Sequence, residues 1–310
     1  DYGFNIDDEK YFYPASTVKL PIVLLALEKI NEYEDISVKT PFKLEDDTLS
    51  TTMEDEIYKI FTISDNQAYN RLFEFLGQDY INEKLDGKGF KNSRIVHRLS
   101  TPNSENLRTK NVLFYASDST LVFNSINKKA KNLKLKNTML GRGFYNNSGE
   151  FVNKSMDFSN KNFISINDLH EMTQRLFYPD NFKEKERFNL TDDQLELVKK
   201  AMSTVPSELN LDPDEYSDNY VKFFSRRDEK TMTKDDDLEI YNKVGTAYGQ
   251  LTETALIISK NNTIILTATM TVNENQYLND DKYEYDSIGI PFFSTLSREI
   301  LNLILTGIYE

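Results

Sequence analysis

Strand patterns stand at both ends of this sequence and helical patterns between them, and that order narrows the architecture more than any other feature. Residues 1–13 (DYGFNIDDEKYFY) read as a strand, a turn at Asp7-Asp8 and a second strand. Near the other end, residues 240–244, 254–259 and 263–272 are β-rich, the last two separated by the turn Lys260-Asn261-Asn262. A helix is predicted from about Ser16 to Glu32, because Leu20, Val23, Leu24, Leu27 and Ile30 follow helical spacing. Pro14 precedes it, and Pro21 falls early, where a missing N–H costs least. Residues 54–76 carry a second helical pattern, broken at Ser64-Asp65-Asn66, residue types that favour caps and turns. An amphipathic helix is predicted over 165–178 with Ser165 or Asn167 as cap. Another opens at the capping-box pattern Thr191-Asp192-Asp193-Gln194, and a last one spans 291–305. The expected class is therefore α/β (α+β): one sheet assembled from both termini, with a helical lobe between. Residues 1–30 and 165–310 would form the sheet lobe. Residues 31–164 would form the mostly helical lobe, with an irregular insertion at 98–163 that holds a hairpin around Asn147-Ser148-Gly149.

Composition removes several classes of function. The 310 residues are 39% hydrophobic, enough for a sizeable core. A net charge of -13 argues against a nucleic-acid partner, whose phosphates need a basic surface. There is no cysteine, so disulfides, thiolate metal sites and cysteine nucleophiles are excluded. The two histidines, His97 and His170, supply a metal site poorly, have no nucleophile signature beside them, and read as surface or cap residues. Arg226 and Arg227 read as solvated charges. No stretch reaches the ~18 apolar residues of a membrane span, and no signal peptide is visible.

The chemistry sits in three short motifs. In Ser16-Thr17-Val18-Lys19, a hydroxyl and an amine three residues apart share one face of a helix. A serine at a helix start also lies where backbone N–H groups favour developing negative charge. The other two motifs are Ser64-Asp65-Asn66 and Lys243-Val244-Gly245, the latter continued by Thr246-Ala247-Tyr248-Gly249. Each alone has a plain structural reading: an N-cap, a corner, an edge-strand charge.

Taken in order, the three resemble the S-x-x-K, S-D-N and K-T/S-G set of class A β-lactamases and penicillin-binding proteins. The flanks match too. Ile63 to Asn70 is similar to V-S-D-N-x-A-x-N, and Lys243 to Gly249 to K-T-G-x-x-Y-G. The resemblance implies a two-lobed β-lactamase-like fold and an acyl-enzyme on Ser16. Lys19 would be the base, Ser64 and Lys243 a proton relay, and Lys243 a carboxylate attractor. Asn66 would meet a substrate amide, and the backbone N–H groups of Ser16 and Thr246, beside Gly245, would form the oxyanion hole. It implies a small-molecule or peptide acyl substrate, no metal or organic cofactor, and an exported bacterial protein; oligomeric state is not legible.

Three departures qualify the expected activity. The E-x-x-L-N string that carries the family's deacylating glutamate is absent. Glu150 lies in roughly the corresponding region, but also in the predicted hairpin, where an exposed glutamate needs no catalytic role. Val244 replaces a hydroxyl residue that would bind the substrate carboxylate, and residues 244–253 contain no Arg or Lys. Three functions stay open on these grounds. One is a serine hydrolase, such as a weak β-lactamase or an esterase; another is a D-Ala-D-Ala peptidase that β-lactams would trap. The third is a catalytically weak binding protein that keeps the fold.

Overall fold

The computed structural model describes residues 2–218, 220–225, 238–259 and 262–305. Arg226, Arg227, Lys260 and Asn261 lie outside the described residues. A 3-10 turn, Ala15–Val18, runs directly into α1 (Lys19–Ile30), followed by β1 (Phe42–Leu44), α2 (Met53–Thr62), α3 (Asn66–Leu76) and α4 (Gln78–Gly87). Short strands come next: β2 (Ser93–Arg94), β3 (Val112–Tyr115), β4 (Thr120–Phe123), β5 (Met139–Leu140), β6 (Gly143–Tyr145), β7 (Phe151–Val152), β8 (Met156–Asp157) and β9 (Phe163–Ile164). The chain then forms α5 (Ile166–Phe177), α6 (Asp192–Ser203), β10 (Leu238–Ala247), β11 (Gln250–Ser259), β12 (Asn262–Thr271), β13 (Tyr277–Leu278) and α7 (Ile290–Leu305). The fold is α+β.

α1 is apolar on every side. Residues 20 to 27 are all buried, so it is a central helix rather than a surface one with a single apolar stripe. Around it pack α2 to α6, with Phe61, Phe73, Phe75 and Phe114 among the large side chains. The helix ends follow local chemistry. Thr52, Asp65, Ser165 and Thr191 each accept a backbone N–H at an N-cap, and Thr191 with Gln194 completes the capping box. Ser165, not Asn167, is the cap of α5.

The main sheet is antiparallel, in the order β10-β11-β12, and all of it comes from the C-terminal part. This corrects the expected two-terminus sheet. Residues 2–13 contribute only an isolated parallel bridge between Lys10 and Lys136. The reason is visible in burial: Tyr11, Phe12 and Tyr13 are buried consecutively. A half-buried strand would instead alternate. They pack with Phe158 and Phe163 in a separate aromatic cluster. One face of the main sheet is covered by α7 and residues 221–224.

The stretch 98–163 carries short strands where an irregular segment was expected. The 143–152 hairpin is present, Phe144 facing Val152 and Tyr145 facing Phe151. Helix α4 escaped the sequence reading because only Ile81 and Leu85 bury among its apolar side chains.

Candidate active site

The site forms where β10 meets the turn that opens α1. A Cβ on Gly245 would stand 2.6 Å from Pro14 O, 2.8 Å from Ser16 N and 3.0 Å from Thr17 N. Only a residue without a side chain lets the strand lie so close to the Ser16 turn. Ala15, just before Ser16, holds φ at 47°, a left-handed conformation rare outside glycine. Thr17 fixes the turn by donating its hydroxyl to Pro14 O at 2.6 Å. Ser16 itself is half-buried, and its hydroxyl makes no hydrogen bond to another described residue.

β10 and β11 close through Ala247 and Gln250 across a two-residue turn, with Tyr248 and Gly249 at φ 55° and 74°. Hydrogen-bonded and non-hydrogen-bonded pairs alternate from there. Thr246 and Val244 therefore direct their backbone groups to the outer edge of β10. Lys243 Nζ does donate to Val244 O at 2.9 Å. The N–H of Thr246 leaves the same edge.

The second motif arrives from the corner between α2 and α3. Ser64 sits at φ 55°, while the N–H groups of Ile63 and Asp65 both reach Lys59 O. Asp65 spends its carboxylate as the cap of α3, accepting from Ala68 N at 2.6 Å. That placement leaves Ser64 between two amines. Lys19 Nζ donates to Ser64 Oγ at 3.2 Å, to Asn66 Oδ1 at 2.7 Å and to Ser64 O. Lys243 Nζ donates to the same Ser64 Oγ at 2.9 Å.

Both lysines are 0–1% exposed. Burial pulls the Lys19 amine down to about 7, against the opposing charge of Asp65. Lys243 falls well below its ordinary value, first through burial and then through the nearby charges of Lys19 and Lys222. An amine near 7 is part neutral at physiological pH and can accept a proton.

The fold is beta-lactamase-like. The family model for the beta-lactamase enzyme family matches residues 1–122. A class A beta-lactamase from Mycobacterium abscessus superimposes with a TM-score of 0.55 at 13% identity, over 96% of this chain and 87% of the other. A beta-lactamase from Sphaerobacter thermophilus gives 0.51 at 15% identity, over 96% and 84%. One from Burkholderia vietnamiensis gives 0.53 at 11%, over 94% and 83%. A search of curated proteins by sequence finds no match.

In this beta-lactamase-like chain, Lys19, Ser64, Asn66 and Lys243 meet through hydrogen bonds, and Gly245 abuts the Ser16 turn. Glu150 does not join them. It is exposed in the β6–β7 hairpin and its carboxylate accepts from Asn146 Nδ2 at 3.0 Å. Val244 is buried against the cluster under α7, its side chain part of the core.

Sequence reading missed the loop that follows β2. Asn70, one turn after Asn66 on α3, donates to Leu99 O at 2.9 Å and accepts from Leu99 N at 2.8 Å. Asn66 Nδ2 donates to Ser100 Oγ at 3.0 Å. Arg98 is clamped by Glu74 through two bonds of 2.5 and 2.8 Å. The i,i+4 pair Asn66 and Asn70 was a signal that a polar face needs partners; nothing local named them. His97, expected at the surface, is buried beside Tyr13 and donates through Nδ1 to Arg98 O at 2.7 Å, since a carbonyl oxygen can only accept; burial lowers its pKa to about 4. His170 is half-buried against Thr267.

A second polar group also lay beyond sequence reading. On the opposite face of β10, Asn242 links Lys222 and Glu253, all three buried. Among the described residues no group of three or more His, Asp or Glu side chains converges to hold a metal. No helix among them is long and apolar enough to cross a membrane.

Proposed function

We propose that this chain is a serine hydrolase that works through an acyl-enzyme on Ser16. The observation that carries the reading is Ser64 Oγ held between the Lys19 and Lys243 amines, with Lys19 near 7. Neutral Lys19 takes the Ser16 proton as the hydroxyl attacks an acyl carbon. The backbone N–H groups of Ser16 and Thr246 stabilise the oxyanion, each such donor being worth about 3 kcal/mol. Ser64 passes a proton from the lysine pair to the leaving nitrogen, and Lys243 draws the substrate carboxylate. The substrate is a small molecule or peptide carrying an activated amide, and β-lactams fit that description. We place this chemistry outside the cytoplasm, where such substrates lie.

Release of the acyl group is the weak step. The loop residues against Asn66 and Asn70 are Ser100 and Leu99, and neither carries a carboxylate to activate water. Val244 adds no hydroxyl for carboxylate binding. These two observations favour a penicillin-binding or peptidase-type enzyme with a long-lived acyl-enzyme over an efficient β-lactamase. The test is to incubate the protein with a chromogenic cephalosporin and, separately, a fluorescent penicillin. Stable fluorescence that is lost in Ser16→Ala, with little cephalosporin turnover, supports the slow-release reading. Fast turnover would make it a β-lactamase. No labelling and no ester hydrolysis would leave a binding protein.

A further inference from the structure

The sequence has no cysteine, so no disulfide braces it. A different set of groups meets behind β10, on the sheet face that α7 and residues 221–224 cover. Lys222, Asn242 and Glu253 are 4%, 1% and 0% exposed. Asn242 stands between the other two. Its Oδ1 accepts from Lys222 Nζ at 2.7 Å, and its Nδ2 donates to Val221 O at 2.7 Å and to Glu253 Oε1. Phe224 N donates to the other Glu253 oxygen at 2.8 Å. Val221 O can only accept, so the amide cannot be turned round. Its carbonyl end faces the amine, and its nitrogen faces the carboxyl.

That order is the one an amide exchange needs. Lys222 Nζ also donates to two backbone carbonyls, Met202 O and, at 3.4 Å, Ile240 O. A neutral amine has two hydrogens. The two carbonyls take them, which leaves the lone pair on the side of Asn242. Burial favours that neutral form and lowers the Lys222 amine to about 8. Burial also raises the Glu253 carboxyl to about 8, so that it holds a proton beside the amide nitrogen. The same burial shuts out water, the competing nucleophile.

We infer that the side chains of Lys222 and Asn242 join in a self-formed amide bond, with Glu253 as the acid that releases ammonia. Nζ attacks Cγ of Asn242, and the Nζ–Cγ bond forms. As Cγ becomes tetrahedral, Nδ2 gains a lone pair and takes the Glu253 proton. The Cγ–Nδ2 bond breaks and ammonia leaves. The proton lost from Nζ restores the Glu253 carboxyl, so nothing is oxidised or reduced and no co-reactant is consumed. The new bond ties residues twenty positions apart. It fastens the segment that covers the sheet to the strand that presents Lys243 to Ser64. It also removes the Lys222 charge from behind Lys243. None of this depends on acylation at Ser16.

The test is the intact mass of the folded full chain after incubation at neutral pH, followed by peptide mapping. The bond predicts a mass about 17 Da below that of the sequence, the ammonia lost. It also predicts a branched peptide in which Lys222 and Asn242 are linked, and fragmentation of that peptide separates the bond from ammonia loss elsewhere. Lys222→Met and Asn242→Ala should keep the full mass of their own sequences. Glu253→Gln removes the acid with little change in size. One general acid contributes about 100-fold or more to rate, so the linked fraction should stay below about a tenth where the native chain is fully linked. A native chain that melts cooperatively yet keeps its full mass, with no branched peptide, overturns the inference. The native chain alone decides that point, so it stands whether or not the variants fold. Linkage to the native extent in a folded Glu253→Gln protein overturns the role of Glu253.

Discussion

Gly245→Ala is the perturbation whose consequence can be worked most fully from the geometry. The added Cβ would lie 2.6 Å from Pro14 O and 2.8 Å from Ser16 N. Both are backbone atoms, so no side chain can swing aside. Relaxed contact between carbon and a carbonyl oxygen is about 3.3 Å or more. Strand β10 and the Ser16 turn must therefore separate by roughly 0.7 Å, allowing for that spacing. Overpacking of this kind costs about 1–3 kcal/mol. For a chain of this size the melting temperature should fall by roughly 2–8 °C. The displacement also falls on the Ser16 turn and on β10 beside Thr246, which carry the two proposed oxyanion donors. Misplacement approaching 1 Å costs about 100-fold in rate, so acylation should slow by about 10- to 100-fold. Time courses of fluorescent-penicillin labelling and thermal melts measure both quantities. Gly87→Ala is the control, since a Cβ there meets nothing within 4 Å at the end of α4. It should leave labelling alone and raise stability by up to about 1 kcal/mol. A Gly245→Ala protein that melts and labels like the native one would refute the close-approach argument.

Other expectations follow from single contacts. The proposed acylation base is neutral Lys19, held at about 7, so labelling should rise as pH increases through about 7 and then level off; a rate flat from pH 5 to pH 9 would remove Lys19 from that role. Glu74→Gln strands the buried Arg98 cation and should cost about 3–5 kcal/mol in urea unfolding; a change below about 0.5 kcal/mol would show that the clamp carries no weight. Glu150→Gln should leave the lifetime of the adduct unchanged, since that carboxylate is engaged within its own hairpin. A markedly longer lifetime would return Glu150 to the mechanism.

The motif contacts were legible because they rest on short-range rules. Ser64-Asp65-Asn66 had to break a helix, and does, with Asp65 as the cap. Lys19 and Lys243 were readable as partners once the spacing and order of the motifs were taken together. What the sequence could not give was set by long-range packing. The run Tyr11-Phe12-Tyr13 has strand composition, but burial on both faces sends it to an aromatic cluster instead of the sheet. His97 has the composition of a surface residue and is buried by a loop fold fixed from Glu74 and Asn70, more than twenty positions away. Val244 was readable as a lost hydroxyl, though not as a core residue beneath α7.

The central claim is that Ser16 is the acylated nucleophile and that its adduct is released only slowly. It is tested most directly by digesting the benzylpenicillin-treated protein and mapping the adduct by mass over time. The account predicts a single adduct on the peptide containing Ser16, persisting for many minutes and absent from Ser16→Ala. An adduct on another residue, or one that survives in Ser16→Ala, would contradict it.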